Sequence, residues 1–215
     1  LQCVELNTRI SKSTMINFDF KPVVLEDERV LLRPLEKTDF INLIDFSNLE
    51  PEIWQYSSMQ AIGEDGLIKY LESAIEARVA RREYPFIVFD KRNNSYAGST
   101  RFYDIQLKNS CLQLGFTWYG QQFQGTGLNK HCKFLLLNFA FEKLGIERVE
   151  FRADSKNERS IAAMKSIGCK VEGVLRSNGI RPDGTRRDSI VLSILKEEWT
   201  GFAKEQLKKK LEIKI

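Results

Sequence analysis

Apolar residues recur at two different spacings in the first third of the chain. Alternation over Val30–Arg33 predicts a short strand. Helical spacing follows, first in a helix that Thr38 can cap and then from about Glu64 to Arg82. The chain therefore begins as a mixture of strand and helices.

The middle of the chain carries three strand-like runs separated by short polar stretches. They span Pro85–Asp90, Ala97–Asp104 and Cys111–Trp118. Short polar turns between consecutive apolar runs favour hairpins, so these runs predict a meander of antiparallel strands.

After this meander the pattern becomes turn, long helix, strand and short helix. The long helix covers Leu128–Leu144, and Gly145 can end it. Val149 and Phe151 alternate with charged residues as in a strand, and Asn157 can cap the helix that follows.

The last third adds two strands and a charged tail. Val171–Leu175 and Ser189–Leu195 flank a turn at Pro182-Asp183-Gly184, and Glu197–Lys210 has a helical composition. No internal repeat or low-complexity linker divides the sequence. It predicts a single mixed α/β domain with a mostly antiparallel sheet flanked by helices.

Composition narrows the possible functions. The 215 residues are 42% hydrophobic and 29% charged, which is typical of a globular protein. A net charge of +4 suits an anionic, nucleotide-like ligand and falls short of a nucleic-acid-binding stripe. No run approaches the roughly 20 apolar residues of a membrane span. We expect neither a nucleic-acid partner nor a membrane partner.

The cysteines and the N-terminal segment carry two further expectations. Cys3, Cys111, Cys132 and Cys169 are scattered without a CxxC pair, so we expect reduced thiols, no bound metal and a cytoplasmic location. Residues 1–20 lack the apolar core of a signal peptide, and we interpret them as an extension before a domain at 21–215.

The most informative stretch is Gln122-Phe123-Gln124-Gly125-Thr126-Gly127, between a predicted strand and the long helix. Glycines there let the backbone approach a ligand closely, and the helix start adds N–H donors and a positive dipole end. Lys130 and Lys133 could add charge. The arrangement suits a phosphate group, although two glycines before a helix also form ordinary tight turns. The spacing is neither GxGxxG nor GxxxxGK[ST].

This stretch resembles the Q/R-x-x-G-x-G/A signature of the GNAT superfamily of N-acetyltransferases. The resemblance runs from about Val30 to Trp199 and is closest to the RimJ/RimL-like, ribosomal-protein-alanine branch. It includes Asn157-Glu158-Arg159-Ser160, Glu172-Gly173-Val174-Leu175-Arg176 and Pro182-Asp183-Gly184-Thr185-x-Arg187-Asp188.

The resemblance implies a GNAT fold with acetyl-CoA, as co-substrate, in a gap between two splayed parallel strands. These strands correspond to Cys111–Trp118 and Arg148–Ala153. The implied co-substrate contacts are Phe116, Thr117, Trp118, Gln122, Gln124, Gly125, Thr126, Gly127, Leu128 and Asn157. The implied product is an acetylated primary amine, either a protein N-terminus or a small molecule.

The implied chemistry is direct attack of the amine on the thioester, without a covalent enzyme intermediate. Ser160 is then the candidate hydrogen-bond donor to the sulfur, and Glu172 the candidate acceptor of the amine proton. Trp54 and Tyr56, in the loop between the first two helices, are candidates to line the acceptor groove.

Each of these residues also has a purely structural interpretation. Ser160 can satisfy local backbone groups, Glu172 can be a solvated strand residue, and Trp54 and Tyr56 can be core aromatics. The chain also departs from the family at Gln122, where arginine is common, and at Gln113, where a carboxylate is common.

Two other classes of function stay open at this point. One is a catalytically inactive acyl-CoA-binding module. The other is a nucleic-acid or scaffold protein that uses Lys208–Lys210, although the interspersed glutamates favour a solvated helix face. The sequence is compatible with a monomer and with a homodimer.

Overall fold

The computed structural model describes residues 18–212. The expected extension over residues 1–20 therefore lies outside the described residues, except for its last three positions. One of these, Phe18, is buried and stacks against Phe20 and beside Tyr84. The packed domain thus reaches back at least to Phe18.

Eight strands form one sheet, in the order β1-β2-β3-β4-β5-β6-β8-β7. Their bounds are β1 Leu25–Glu26, β2 Val30–Pro34, β3 Tyr84–Asp90, β4 Ser95–Gln106, β5 Cys111–Tyr119, β6 Arg148–Asp154, β7 Lys170–Ile180 and β8 Arg186–Leu195. The expected antiparallel meander is confirmed for β3, β4 and β5. The closing hairpin β7–β8 is longer than its apolar pattern indicated.

One pair of strands departs from the antiparallel rule. β5 and β6 run parallel, and they pair only over Cys111–Gln113 and Arg148–Glu150. Beyond these three residue pairs the two strands separate, while β5 stays paired to β4 and β6 stays paired to β8. The sheet is therefore split from Leu114 onward.

Helices cover both faces of the sheet. They are α1 Phe40–Leu49, α2 Gly63–Val79, α3 Leu128–Asn138, α4 Glu158–Ser166, α5 Lys196–Glu198 and α6 Lys204–Glu212, with single π-helical turns at Phe139–Lys143 and Trp199–Ala203. Two consecutive residues of β4 point to opposite faces of the sheet. The guanidinium of Arg101 lies over Tyr70 of α2, whereas the ring of Phe102 stacks on Phe139 after α3.

The two predicted N-terminal helix caps have different outcomes. Asn157 caps α4 as predicted, because its side chain accepts a 3.0 Å hydrogen bond from the backbone N–H of Ser160. Thr38 is not a cap, since it lies inside a 3₁₀ turn, Lys37–Asp39, that precedes α1. None of the helices described between residues 18 and 212 has the length and apolar content needed to cross a bilayer.

The close approach of β4 to β5 depends on Gly98, whose φ is +153°. A Cβ at this position would lie 2.1 Å from the carbonyl oxygen of Trp118. We expect Gly98→Ala to lower the free energy of unfolding by about 3 kcal/mol in a urea titration, because two paired backbones would have to separate.

Gly173→Ala is the matched control. Gly173 also lies in a strand, but its φ is not positive and nothing lies within 4 Å of the added Cβ. We expect this variant to stay within about 1 kcal/mol of the wild type. Equal stability of the two variants would contradict the packing described at Gly98.

Candidate functional site

A bulge in β5 opens the split in the sheet. The register with β4 shifts between Ser99 and Arg101, so that Thr100 alone faces two residues of β5, Phe116 and Thr117. Phe116 has a φ of +48°, a left-handed conformation that is uncommon for a bulky residue. Because β6 has already separated here, the edge of β5 that faces it has no strand partner.

Two buried cations hold this bulge, one on each face of the sheet. On the α3 side, the Lys133 ammonium donates to the hydroxyl of Thr117 at 2.8 Å, and this hydroxyl lies 2.7 Å from that of Thr100. On the α2 side, the Arg101 guanidinium lies 4.4 Å from the centre of the Phe116 ring. The strained backbone is thus fixed from both sides.

Burial also changes the chemistry of Lys133. Its side chain is enclosed, and the loss of solvation lowers the pKa of its ammonium from 10.5 to about 8. Arg101 is equally enclosed, and one Nη donates to Glu83 at 2.7 Å. The sequence suggested that Lys133 adds charge at the glycine turn, but its ammonium points to the bulge instead.

The glycine turn presents an open set of donors. Gly125 and Gly127 have φ values of +76° and +88°, and Gly127 caps α3. Within residues 18–212, the N–H groups of Gly125, Thr126 and Gly127 have no hydrogen-bond acceptor. The first N–H groups of α3 continue this set, which suits an anion at a helix start.

Helix α4 supplies the far wall of the same opening. Asn157 uses its Oδ1 to cap the helix, and Ser160, one turn further on, is half-buried. The Ser160 hydroxyl makes no hydrogen bond with any of residues 18–212. It is therefore available to a ligand.

Together these parts enclose a cleft of about 710 Å³ that passes through the split between β5 and β6. The volume is of the size found in small-molecule sites. Most of the residues expected at the site line this cleft, and they come from the loop after α1, from β5, from the glycine turn and from α4. They are Tyr56, Phe116, Thr117, Trp118, Gln124, Gly125, Gly127, Asn157 and Ser160.

Several expected residues lie elsewhere. Trp54 is fully buried and packs 4.6 Å from the Trp118 ring centre, so it belongs to the core and does not line the cleft. The side chain of Gln122 borders a separate surface depression. Thr126 donates its hydroxyl to a backbone carbonyl, and the Leu128 side chain is buried. Thr126 and Leu128 can therefore offer only backbone groups to the cleft.

Glu172, the residue expected to accept the amine proton, lies apart from the other expected site residues. It does not line the cleft, and its carboxylate is bound by the Arg148 guanidinium and by the hydroxyl of Ser193. Arg148 stands at the start of β6, where β5 and β6 are still paired. The hydrogen bonds from Arg148 lower the pKa of Glu172, which makes it a weaker base.

The cleft residues that the sequence reasoning did not assign to the site include Tyr103, Arg152, Asp154 and Arg187. Burial raises the pKa of the Tyr103 phenol to about 12. Asp154 is buried, yet hydrogen bonds from Arg181 at 2.6 and 3.0 Å lower the pKa of its carboxyl below the usual range. The sequence did hold one signal for these residues. Arg152 and Asp154 lie near the end of β6, where the strands of the parallel pair separate.

One group of possible metal ligands lies away from the cleft. His131 Nδ1 is 2.7 Å from Asp27 Oδ2 and 3.9 Å from Glu28 Oε1. Asp27 also accepts the backbone N–H groups of Arg29 and Val30. The cluster is therefore explained as a structural contact, in which the turn between β1 and β2 is bonded to α3.

Comparison with known proteins agrees with this architecture. The family model described as "Acetyltransferase (GNAT) domain" matches residues 29–170. A protein of Bacillus subtilis (strain 168), "Putative ribosomal N-acetyltransferase YdaF", is 31% identical over 109 residues, which are 51% of this chain and 58% of that protein.

Solved structures extend the likeness over most of the chain. A "putative acetyltransferase" from T. thermophilus is 33% identical with a TM-score of 0.79, and the match covers 89% of this chain and 98% of that one. The "Ribosomal-protein-S5-alanine Acetyltransferase from Vibrio fischeri" has the same fold, with a TM-score of 0.68 at 18% identity, over 82% of this chain and 98% of that one. The chain belongs to the GNAT acetyltransferase family.

Proposed function

We propose that this acetyltransferase takes its acetyl group from acetyl-CoA and transfers it to a primary amine. The observation that supports this most directly is that one cleft is bordered both by the unpaired edge of β5 and by the glycine turn. An extended amide chain can add to the strand edge, and a pyrophosphate can bind at the helix start. Acetyl-CoA combines both groups in one molecule.

The residues present fit each part of this co-substrate. The backbone of Phe116, Thr117 and Trp118 would pair with the pantetheine amides, and Asn157 would use its side-chain amide nitrogen on the same arm. The N–H groups from Gly125 onward would hold the pyrophosphate. Lys130, at the cleft wall, would add positive charge there.

The proposed reaction is direct transfer within a ternary complex. The neutral amine attacks the thioester carbonyl, a C–N bond forms and the C–S bond breaks. The Ser160 hydroxyl donates a hydrogen bond to the departing sulfur and so lowers the cost of its negative charge. The amine loses its proton to solvent in the open cleft, since Glu172 is bound to Arg148 outside it.

A catalytically inactive acyl-CoA-binding module is the second candidate. The observation in its favour is that Glu172, the carboxylate expected to act as base, does not line the cleft. Both candidates share the co-substrate contacts, and only turnover separates them.

Blocking the glycine turn tests the co-substrate site. We expect Gly125→Trp to abolish acetyl-CoA binding measured by calorimetry, because the indole would occupy the space in front of the open N–H groups. The wild type should bind in the micromolar range, at about 1–100 μM.

Gly184→Trp is the matched control for this variant. Gly184 also has a positive φ, of +81°, and open space beside it, but it lies in the turn between β7 and β8. The Gly184→Trp variant should bind acetyl-CoA as the wild type does. Absence of binding by the wild type would overturn the proposal.

A second experiment distinguishes the proposed roles of Ser160 and Glu172. We expect Ser160→Ala to lower kcat by about 10- to 100-fold in a thiol-release assay, with little change in the KM for acetyl-CoA. The helix cap survives this change, because Asn157 binds the backbone N–H of residue 160. Glu172→Gln should keep kcat near the wild-type value, and the reverse pattern would return the role of base to Glu172.

A further inference from the structure

Five polar residues line the mouth of the cleft, on the sheet face opposite α3. Asp154 of β6 pairs with Ser189 of β8, and alternate residues put Arg152 and Arg187 on the same face. Tyr103 reaches this face from β4, with its ring lying across Gly115. All five polar residues line the cleft.

Two carboxylates of β6 on this face, those of Asp154 and Glu150, are already bound by arginines. Asp154 receives two hydrogen bonds from Arg181, at 2.6 and 3.0 Å. Glu150, which lies two residues before Arg152 on β6, accepts from Arg152 Nε at 2.7 Å and from Arg148 at 2.8 Å. Neither carboxylate accepts a hydrogen bond from Arg187, although the charge of Arg187 also helps to lower the pKa of Asp154.

Arg187 differs from these paired groups. Its Nε donates to the Ser189 hydroxyl at 3.1 Å. Among residues 18–212, no carboxylate oxygen lies within 4.0 Å of its guanidinium. Its two terminal nitrogens, and those of Arg152, therefore remain as donors at the cleft mouth. The Tyr103 phenol is protonated at neutral pH, as an ordinary tyrosine is, and its hydroxyl can therefore donate a hydrogen bond.

We propose that the amine acceptor carries a carboxylate close to its amine, and that Arg187, supported by Arg152 and Tyr103, binds this carboxylate. The inference rests on the proposed acetyl transfer and adds the chemical class of the acceptor. Guanidinium groups present planar, fork-like sets of donors, which match a carboxylate better than they match a neutral or cationic group. A polyamine would meet the same positive charges and be disfavoured.

The opposite wall of the mouth is consistent with a compact acceptor. It is formed by the loop after α1, where Ile53 and Tyr56 line the cleft. An acceptor held by Arg187 would thus place its carboxylate against β8 and its apolar part against this loop. Its amine would point into the split, toward the bulge of β5.

The carboxylate can come from two sources, the α-carboxylate of a free amino acid or an acidic side chain near a peptide N-terminus. Thiol release would be measured with four acceptors in matched pairs. The first pair is glutamate and its α,γ-diamide, and the second is two hexapeptides that differ only by Glu or Gln at their second position. Each is tested with the wild type, Arg187→Gln and Arg176→Gln.

We expect the wild type to prefer the acidic member of at least one pair by about 10- to 100-fold in kcat/KM. Arg187→Gln should remove this preference, because kcat/KM for the acidic member falls to that for the neutral member. Arg176, exposed on β7 and outside the cleft lining, is the control whose loss should leave the preference intact. The pair that shows the preference identifies the source of the carboxylate.

Three outcomes would overturn the inference. Equal kcat/KM for acidic and neutral acceptors would contradict the proposed carboxylate site. A preference that survives in Arg187→Gln would contradict the role of Arg187. No thiol release with any amine, together with no binding of acetyl-CoA, would overturn the proposed acetyl transfer as well. The last outcome is distinguishable, because calorimetry with acetyl-CoA does not involve Arg187.

Discussion

The unpaired edge of β5 is the constraint on which the rest of the site depends. Backbone N–H and C=O groups cannot be left buried without partners, so a strand that separates from its neighbour must offer its edge to water or to a ligand. Here the separation begins after only three residue pairs, and the bulge at Phe116 and Thr117 lies on the strand that borders the cleft. The rest of the domain keeps the two strands apart and fixes the bulge.

Two buried cations explain how such a bulge can persist. A left-handed Phe116 costs backbone energy, and neither α3 nor α2 alone contacts both sides of the sheet. Lys133 holds the Thr100 and Thr117 hydroxyls from one face, while Arg101 covers the Phe116 ring from the other. The same split separates the two proposed ligands: the glycine turn and α4 would hold the co-substrate, and the arginines of β6 and β8 would hold the acceptor.

Local patterns predicted most of the fold and part of the site. The hairpins, the Asn157 cap and the long helix follow from apolar spacing and turn residues, and the glycine turn was visible as a motif. The positions of the Trp54 and Glu172 side chains were not predictable in this way. Whether Trp54 packs on Trp118 or faces a groove depends on the path of a loop, and the position of the Glu172 carboxylate depends on Arg148, which is 24 residues away.

The same limit explains why the arginine pair escaped notice. Arg152 and Arg187 are distant in sequence, and only the register of β6 with β8 places them on one face. The bulge itself has no sequence signature, since Phe116 is not a residue that favours a left-handed conformation. The positions of the two arginines and of the bulge therefore depend on strand pairing, which the local sequence does not show.

Amide hydrogen exchange with and without acetyl-CoA tests the central claim most directly, because it reports on individual backbone N–H groups. If the edge of β5 and the glycine turn bind the co-substrate, protection should increase at residues 115–118 and 125–129 and leave the edge strand β7 unchanged. Binding of acetyl-CoA with no added protection at residues 115–118 would contradict this account of the cleft.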